Sequence, residues 1–425
     1  MDLITCLEHQ SIPVRPHRQP GEFALTHAQA SQLDKASNIP RDAFRWGNQS
    51  IQWRQYCGVV QLNGLTLEIL PKVHGKEANI GACKAVLVKL LRRAGLMKMH
   101  RGDNAAINTQ THTLLDIFIT EFCRQLREQT VLGKPRAYQQ SEANLGKLKG
   151  RLLTNQQLRR NLIHQERLYC RYDELSENIL INQTIKFTLR LLLPQCRGSA
   201  AKKIITEQLM RHDEISDLPI STAQLDRIVL NRTNDRYERI LDWCRLFITA
   251  SNPDVTAGKQ PLMSLLFDMN RLFEHWLAVE LRPLAREHGC TVREQAPRRY
   301  LAYRNDLEVN VYQTRPDISL IDSSGTIAWL LDAKWKLLDG NDARLGINQS
   351  DLYQMSAYAN LYAISRIGLI YPRQNQLSPV YTVKLFGARP LELIIVTVDI
   401  ERSLRHHSEL RLALENKISL DQIFV

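Results

Sequence analysis

The chain has 425 residues, 44% of them apolar and 24% charged, which is ordinary usage for a folded protein and excludes a largely disordered or fibrous one. Lys and Arg number 56 against 44 Asp and Glu, so the formal net charge is +12, which favours polyanionic partners such as nucleic acid. Eight cysteines without a Cys-x-x-Cys pair indicate neither a zinc ribbon nor a dense disulfide framework. No apolar stretch reaches the length of a membrane span and no signal sequence is recognisable, so we expect a cytoplasmic protein without membrane association.

The length predicts two or three domains, and the apolar pattern predicts a multidomain protein of the α+β or α/β class. Residues 1–110 are expected to form an N-terminal mixed, β-rich domain, residues 111–258 a mainly helical middle domain, and residues 259–425 a C-terminal α/β domain. The second boundary follows Ser251–Gly258, which is rich in helix and strand breakers and is typical of a linker.

The first domain contains a hairpin signal. Apolar residues alternate from Cys57 to Leu70 around Asn63-Gly64, the dipeptide most typical of a two-residue hairpin turn. A helical pattern then runs from Ala82 to Arg93 and ends near Gly95.

The middle segment has mainly helical periodicity, at Leu114 to Leu126 and at Ile179 to Leu193. Its exception is Gly146–Leu152, where an alternating, strand-like pattern predicts three cations on one face, Lys147, Lys149 and Arg151. A solvated strand edge guarded by lysine and a contact surface for nucleic acid or a partner explain this pattern equally well.

The last segment has the element order of an α/β domain. An amphipathic helix is predicted from Leu265 through Leu277, ending by His288-Gly289. The predicted elements after it are strands at Leu307–Tyr312, Asp317–Ile321 and Ile327–Trp335, a helix at Asp351–Ala363, and strands at Ile367–Tyr371, Val380–Phe386 and Leu391–Val398.

Two acids and a lysine in this segment carry the candidate chemistry. A hairpin symmetric about Ser324-Gly325 sets Asp317 directly opposite Asp332, with Cβ atoms about 5 Å apart. Two carboxylates at that distance suit a shared Mg²⁺ ion. Lys334 lies two positions after Asp332 and therefore on the same face, where its ammonium group would assist hydrolysis of a phosphodiester. The alternative for Asp-x-Lys is a surface ion-pair ladder, which the buried character of both strands argues against.

Three further side chains are candidates for the same site. Gln354 and Tyr358 share one helix face and would contact the DNA backbone or steady the metal site, although Tyr358 is equally well explained by helix packing. Glu274 would supply a third carboxylate, or else it is a solvent-facing acid on the amphipathic helix. The sequence contains no GxxxxGK[ST], HExxH or GxSxG motif, which argues against a P-loop nucleotidase, a zincin and an α/β-hydrolase.

Segments along most of the chain resemble one family. They are Tyr56–Leu62, Leu67–Lys72, Gly146–Leu152, Asn178–Leu189, Arg315–Asp317, Leu331–Lys334, Leu352–Gln354 and Gly368–Pro372. In this order and spacing they resemble McrC, the subunit of McrBC-type modification-dependent (5-methylcytosine) restriction systems whose C-terminal half is a PD-(D/E)xK restriction-endonuclease-like domain. Gln354 and Tyr358 also resemble a motif of RecB-like nucleases.

The resemblance implies that Asp317 and Asp332 bind Mg²⁺ and that Lys334 assists catalysis. It also implies a partner, a hexameric McrB-like AAA+ GTPase, with modified double-stranded DNA as substrate. The expected function is then an endonuclease subunit that stimulates this motor and cuts DNA with it, and dimerisation through the nuclease domain is a further expectation. A non-cutting regulatory adaptor of the ring and a stand-alone RecB-like repair nuclease are the alternatives.

Overall fold

The computed structural model describes residues 2–95, 112–251, 263–374, 377–378, 380–385 and 391–400. The chain divides into two compact units, one formed by Met1–Thr111 with Leu266–Val425 and the other by His112–Leu265. Residues 1–110 and 259–425, which the sequence analysis treats as separate domains, thus belong largely to one unit. No helix in the described ranges is long and apolar enough to cross a membrane.

The N-terminal part of the first unit is rich in β-structure. Its elements are β1 (Asp2–Leu7), β2 (Ser11–Arg15), β3 (Leu25–Thr26), α1 (His27–Lys35), β4 (Phe44–Gly47), β5 (Ser50–Trp53), β6 (Tyr56–Leu62), β7 (Leu65–Leu70) and α2 (Ile80–Arg93). The predicted hairpin is present, because β6 and β7 pair antiparallel around Gly64, whose φ of +74° suits glycine. β1 adds to β7 in parallel, so both strands end at the same edge.

The second unit combines helices with a small sheet. Its elements are α3 (Leu114–Val131), β8 (Ala137–Leu145), β9 (Arg151–Leu152), α4 (Thr154–Arg160), β10 (Leu168–Ser176), α5 (Leu180–Leu192), α6 (Ser199–Arg211), α7 (Thr222–Leu225) and α8 (Glu238–Ala250). The helices predicted at Leu114 and Ile179 are confirmed. Aromatic side chains join the core helices, with the rings of Phe122 and Phe247 5.6 Å apart. The antiparallel β8–β10 pair was not predicted from the sequence.

The predicted basic strand Gly146–Leu152 is wrong for most of its length. Only Arg151 and Leu152 are in a strand, and Lys147 and Lys149 lie in the loop before it. Gly150 has a φ of +68°, and a Cβ atom there would lie 2.4 Å from the Arg171 carbonyl oxygen. The chain therefore turns tightly at Gly150, and the three cations do not share one strand face.

The C-terminal part of the first unit is a mixed sheet with helices. Its elements are β11 (Met263–Asp268), α9 (Met269–Glu287), β12 (Thr291–Glu294), β13 (Arg299–Arg304), β14 (Val309–Thr314), β15 (Ile318–Ile321), β16 (Ile327–Ala333), α10 (Gln349–Tyr362), β17 (Arg366–Pro372), β18 (Val380–Leu385) and β19 (Leu391–Val398). Six of these strands form the mixed sheet, in the order β12-β15-β16-β17-β19-β18, and β13 pairs with β14 in a separate two-stranded sheet. β16, β17 and β19 run parallel, so their carboxyl ends lie at one edge of the sheet.

Most elements predicted in this segment are present, with one clear correction. Leu265 and Leu266 are in strand β11, and the helix begins only at Met269, where the Asp268 side chain accepts a hydrogen bond from the Asn270 amide at 2.9 Å. A short polar side chain at this position caps a helix N-terminus, so the apolar pair before it belongs to another element. The predicted linker after Ser251 lies outside the described residues.

Candidate functional site

The β15–β16 hairpin brings Asp317 and Asp332 together. Ile318 pairs with Leu331 and Ser319 with Leu330, and the same register continued by one residue sets Asp317 opposite Asp332. The backbone amide of Ala333 donates to Asp317 Oδ2 at 3.0 Å. The two carboxylates therefore lie at one end of the hairpin, each on its own strand.

The turn of this hairpin differs from the predicted one. The amide of Asp322 donates to the Thr326 carbonyl oxygen at 2.9 Å, so the loop is longer than the dipeptide Ser324-Gly325. An irregularity between Leu320 and Ile321 shifts the register by one residue. The longer loop and the register shift compensate for each other, because the bulge takes up the one-residue difference in strand length. Asp317 and Asp332 therefore still face each other.

Lys334 lies directly beside the buried acid. Its Nζ is 2.8 Å from Asp332 Oδ2, and the Asp332 residue is only 1% exposed. The Lys334 amide donates to the Ile370 carbonyl oxygen on β17 at 2.9 Å, which anchors the backbone in the parallel part of the sheet. The lysine is thus fixed at the carboxyl end of β16.

Gln354 and Tyr358 on α10 complete the polar side of this cluster. Gln354 Nε2 donates to Asp332 Oδ1 at 3.3 Å and to the Tyr358 hydroxyl at 3.0 Å. Lys334 Nζ in turn donates to Gln354 Oε1 at 3.4 Å. Tyr358 also packs in the apolar core beneath the helix, so its ring contributes to helix packing while its hydroxyl group contacts the polar cluster.

Glu274 on α9 joins the site through a residue that the sequence analysis missed. Gln295 Nε2 donates to Glu274 Oε2 and to Asp317 Oδ1, each at 3.2 Å. The Gln295 backbone amide donates to the Asp317 carbonyl oxygen at 2.9 Å. No periodicity or motif marks Gln295, because it lies in the loop after β12 and reaches the site only through the tertiary fold.

The carboxyl groups of the cluster are perturbed by burial and by each other. Burial, followed by the nearby Asp332 and Asp268, raises the pKa of Glu274 to about 7. Burial and then the charges of Asp332 and Glu274 raise the pKa of Asp317, and burial also raises the pKa of Asp332 against the opposing effect of Lys334. Burial lowers the pKa of Lys334, but the Asp332 carboxylate outweighs it, so the pKa is raised and the ammonium stays protonated.

The donor set fits a hard divalent cation in its chemistry. Asp317, Asp332 and Glu274 offer carboxylate oxygens of the kind that Mg²⁺ binds. Burial and the charges of neighbouring acids raise the pKa of all three, and a nearby cation opposes both effects. Asp332 Oδ2 is buried and lies 2.8 Å from the Lys334 ammonium. Within the described residues no three His, Cys, Asp or Glu side chains converge as a preformed metal cluster, and the Gln295 amide lies between two of the acids.

The three predicted basic residues are not part of this cluster. Lys147, Lys149 and Arg151 belong to the second unit. Lys149 Nζ lies 3.2 Å from Glu174 Oε1 and 4.0 Å from the ring centroid of Tyr172. Its charge is therefore partly engaged by its own sheet.

Comparison with known proteins agrees with this architecture. A profile of the family described as "McrBC 5-methylcytosine restriction system component" matches residues 51–372, whereas a sequence comparison with curated proteins returns no match. A chain from a half-complex of the tetradecameric assembly of Thermococcus gammatolerans McrB AAA+ hexamers with bound McrC is 19% identical, with a TM-score of 0.71. That alignment covers 96% of this chain and 99% of the other.

A second chain, from the cryo-EM structure of the T. gammatolerans McrBC complex, is 21% identical with a TM-score of 0.51. That alignment covers 66% of this chain and 87% of the other. At these identities the structural likeness shows the fold. The family assignment depends on the profile match, which extends over most of the chain and confirms the resemblance predicted from the sequence. The chain therefore belongs to the McrBC 5-methylcytosine restriction system component family.

Proposed function

We propose that the chain is the DNA-cutting subunit of a modification-dependent restriction complex, a Mg²⁺-dependent endonuclease with a PD-(D/E)xK site. The observation that carries this proposal is the convergence of Asp317, Asp332 and Lys334 at the end of one hairpin, with the lysine ammonium 2.8 Å from the buried carboxylate. A surface ion-pair ladder, the alternative considered from the sequence, would not bury Asp332 to 1% exposure.

The residues of the cluster have distinct roles in this proposal. Asp317, Asp332 and Glu274 would hold the cation. A bound Mg²⁺ lowers the pKa of a coordinated water and neutralises phosphate oxygens. Lys334 stays protonated beside Asp332 and stabilises negative charge that develops on the phosphate. Gln354 donates to Asp332 and accepts from Lys334, so it orients both groups.

We also infer a motor subunit on another chain. The sequence contains no phosphate-binding GxxxxGK[ST] loop. One similar T. gammatolerans chain comes from an assembly of McrB AAA+ hexamers with bound McrC, and the other from an McrBC complex. By likeness, this chain would bind and stimulate an McrB-like AAA+ GTPase, which would select modified double-stranded DNA.

The second unit offers a surface suited to such a partner. Leu148, Leu158, Leu162 and Ile163 are 62% to 87% exposed within one short stretch of chain that also carries Lys147 and Arg151. Exposed apolar side chains grouped in this way mark protein contacts. We therefore assign the region around β9 and α4 to partner docking, with the basic residues at its margin.

The test is Asp332→Ala in the complex reconstituted with the GTPase partner. Removal of the buried carboxylate is expected to abolish Mg²⁺-dependent cleavage of DNA containing 5-methylcytosine, while stimulation of GTP hydrolysis stays at the wild-type level. Cleavage by the variant at the wild-type rate would contradict the site assignment.

The same assay distinguishes the alternatives. Stimulation of GTP hydrolysis without cutting by the wild-type complex on any modified substrate would identify a regulatory adaptor. Cleavage by the purified chain without nucleotide or partner would identify a stand-alone RecB-like nuclease. The intact set of two acids and a lysine favours the cutting subunit over the adaptor.

A further inference from the structure

A cavity of about 580 Å³ adjoins the candidate site on the far side of Lys334. It lies within the first unit, where the carboxyl ends of two sets of parallel strands face each other. Glu8 and Lys72, just after the ends of β1 and β7, line it, as do Lys334 and Arg373, which directly follow β16 and β17. Ligands commonly bind in crevices at the carboxyl ends of parallel strands, so this position suits a binding site.

Hydrogen bonds through Glu8 hold the two edges together. Glu8 Oε1 accepts from Trp335 Nε1 and from the Lys72 backbone amide, each at 2.8 Å. Trp335 directly follows Lys334, so its hydrogen bond to Glu8 joins the wall of the cavity to the end of β16. The other carboxylate oxygen of Glu8, Oε2, is buried and makes no hydrogen bond within the described residues, and it lies 3.9 Å from His9 Nε2.

Basic side chains outnumber acidic ones in the lining. Five lysine and arginine side chains contribute to it, namely Lys72, Lys76, Lys334, Lys336 and Arg373, against the three acids Glu8, Asp351 and Asp399. Burial raises the pKa of Glu8 to about 7, so this acid is only partly ionised at neutral pH. The cavity therefore carries an excess of positive charge.

Lys72 is the cation best placed to meet a ligand. Its residue is exposed, and its side chain makes no hydrogen bond or ion pair with other residues in the described parts of the chain. Burial, followed by the charges of Lys72, Arg54 and Arg45, lowers the pKa of the neighbouring His9. The loop that carries Lys72 turns back at Gly75, with a φ of +73°, and the Lys76 amide closes the turn on the Val73 carbonyl oxygen.

We propose that this cavity binds the phosphodiester backbone of a DNA strand next to the scissile phosphate, with Lys72 as a direct phosphate contact. The inference rests on the proposed nuclease function and adds a substrate subsite supplied by the N-terminal part of the chain. The strand enters over the Lys72 loop and reaches Lys334, which lines the cavity on one side and contacts Asp332 on the other.

The test is Lys72→Ala in the full-length chain, with binding of a short fluorescent DNA duplex measured by anisotropy at several salt concentrations without metal. Truncation of the side chain keeps the Lys72 backbone bond to Glu8. We expect about tenfold weaker binding and a slope of log K against log salt that is smaller by about 1, as for loss of one phosphate contact. Lys35→Ala, which removes an exposed lysine at the end of α1, is the matched control and is expected to bind like the wild type.

Equal binding by Lys72→Ala and Lys35→Ala, with melting curves like the wild type, would overturn the subsite. The binding assay needs no cleavage, so it is independent of the proposed nuclease activity. A chain that never cuts DNA but loses affinity with Lys72→Ala would keep the subsite and refute the nuclease. A complex that cuts DNA but shows unchanged affinity in Lys72→Ala would support the nuclease and refute the subsite.

Discussion

At the scale of single residues, Glu8 links acid-base chemistry to stability. Burial raises its pKa in the folded chain from an ordinary 4.5 to about 7, although the Trp335 and Lys72 hydrogen bonds oppose the shift. The folded state therefore binds the proton more tightly than the unfolded state does. The stabilising contribution of Glu8 is complete below pH 4.5 and is lost as the pH rises towards 7.

The variant Glu8→Gln tests this linkage. A glutamine oxygen accepts the same two hydrogen bonds but does not titrate, so the fall in unfolding free energy between pH 5 and pH 8 should be smaller in the variant. One pKa unit corresponds to about 1.4 kcal/mol, so the difference is at most about 3 kcal/mol. Urea denaturation at both pH values measures it, and parallel losses in the two proteins would contradict the account.

Some residues of the candidate site could be proposed from the sequence and others could not. Asp317, Asp332 and Lys334 were identified because strand geometry relates residues on one pleated face. Gln295 and Glu8 were missed because they meet the site only through the tertiary fold, and the hydrogen bond from Trp335 to Glu8 spans 327 positions of the chain. Neither Gln295 nor Glu8 is marked by a periodic hydrophobic pattern in the sequence.

At the scale of secondary structure, α10 ends in a strained conformation. Its C-cap residue Ala363 is exposed and has φ 57° and ψ 41°, a left-handed conformation in which the Cβ atom is unfavourable and glycine is preferred. The helix supports Gln354 and Tyr358, so its stability bears on the site.

Ala363→Gly should therefore raise the unfolding free energy by about 0.5–1 kcal/mol. The matched control is Ala357→Gly within the same helix, which should lower the unfolding free energy by about 1 kcal/mol because glycine is unfavourable in a helix interior. Thermal or urea unfolding measures both changes. A loss of stability in Ala363→Gly as large as that in the control would contradict the cap geometry.

Two elements show where local patterns fail. Alternation predicted a strand at Gly146–Leu152, but Gly150 turns the chain against β10 and leaves only Arg151–Leu152 in the sheet. The predicted β15–β16 turn was also wrong, yet the bulge at Leu320 and Ile321 preserved the predicted pairing of the residues before it. Hairpin periodicity thus predicted which residues face each other better than it predicted the loop between them.

At the scale of the whole molecule, the sequence predicted the kinds of elements but not their grouping into units. The first unit joins Met1–Thr111 with Leu266–Val425 through contacts between segments far apart in the chain, such as α2 with α9. Periodicity reports which face of an element is buried and not which distant element covers it. The grouping matters for function because the N-terminal part lines the cavity beside Lys334.

The central claim for the whole molecule is that Asp317 and Asp332 hold a divalent cation. Three acids with raised pKa values release protons when a cation binds, so Mg²⁺ affinity should increase with pH. A cation that binds only the folded chain also raises its melting temperature with concentration. Asp332→Asn removes a charge from the site, and Asp306→Asn, at an exposed position between β13 and β14, is the control.

The most direct measurement is calorimetric titration of the full-length chain with Mg²⁺ at pH 8, beside melting curves with and without the ion. We predict saturable binding and a higher melting temperature for the wild type and for Asp306→Asn, and neither effect for Asp332→Asn. Equal Mg²⁺ binding by Asp332→Asn and the wild type would contradict the claim.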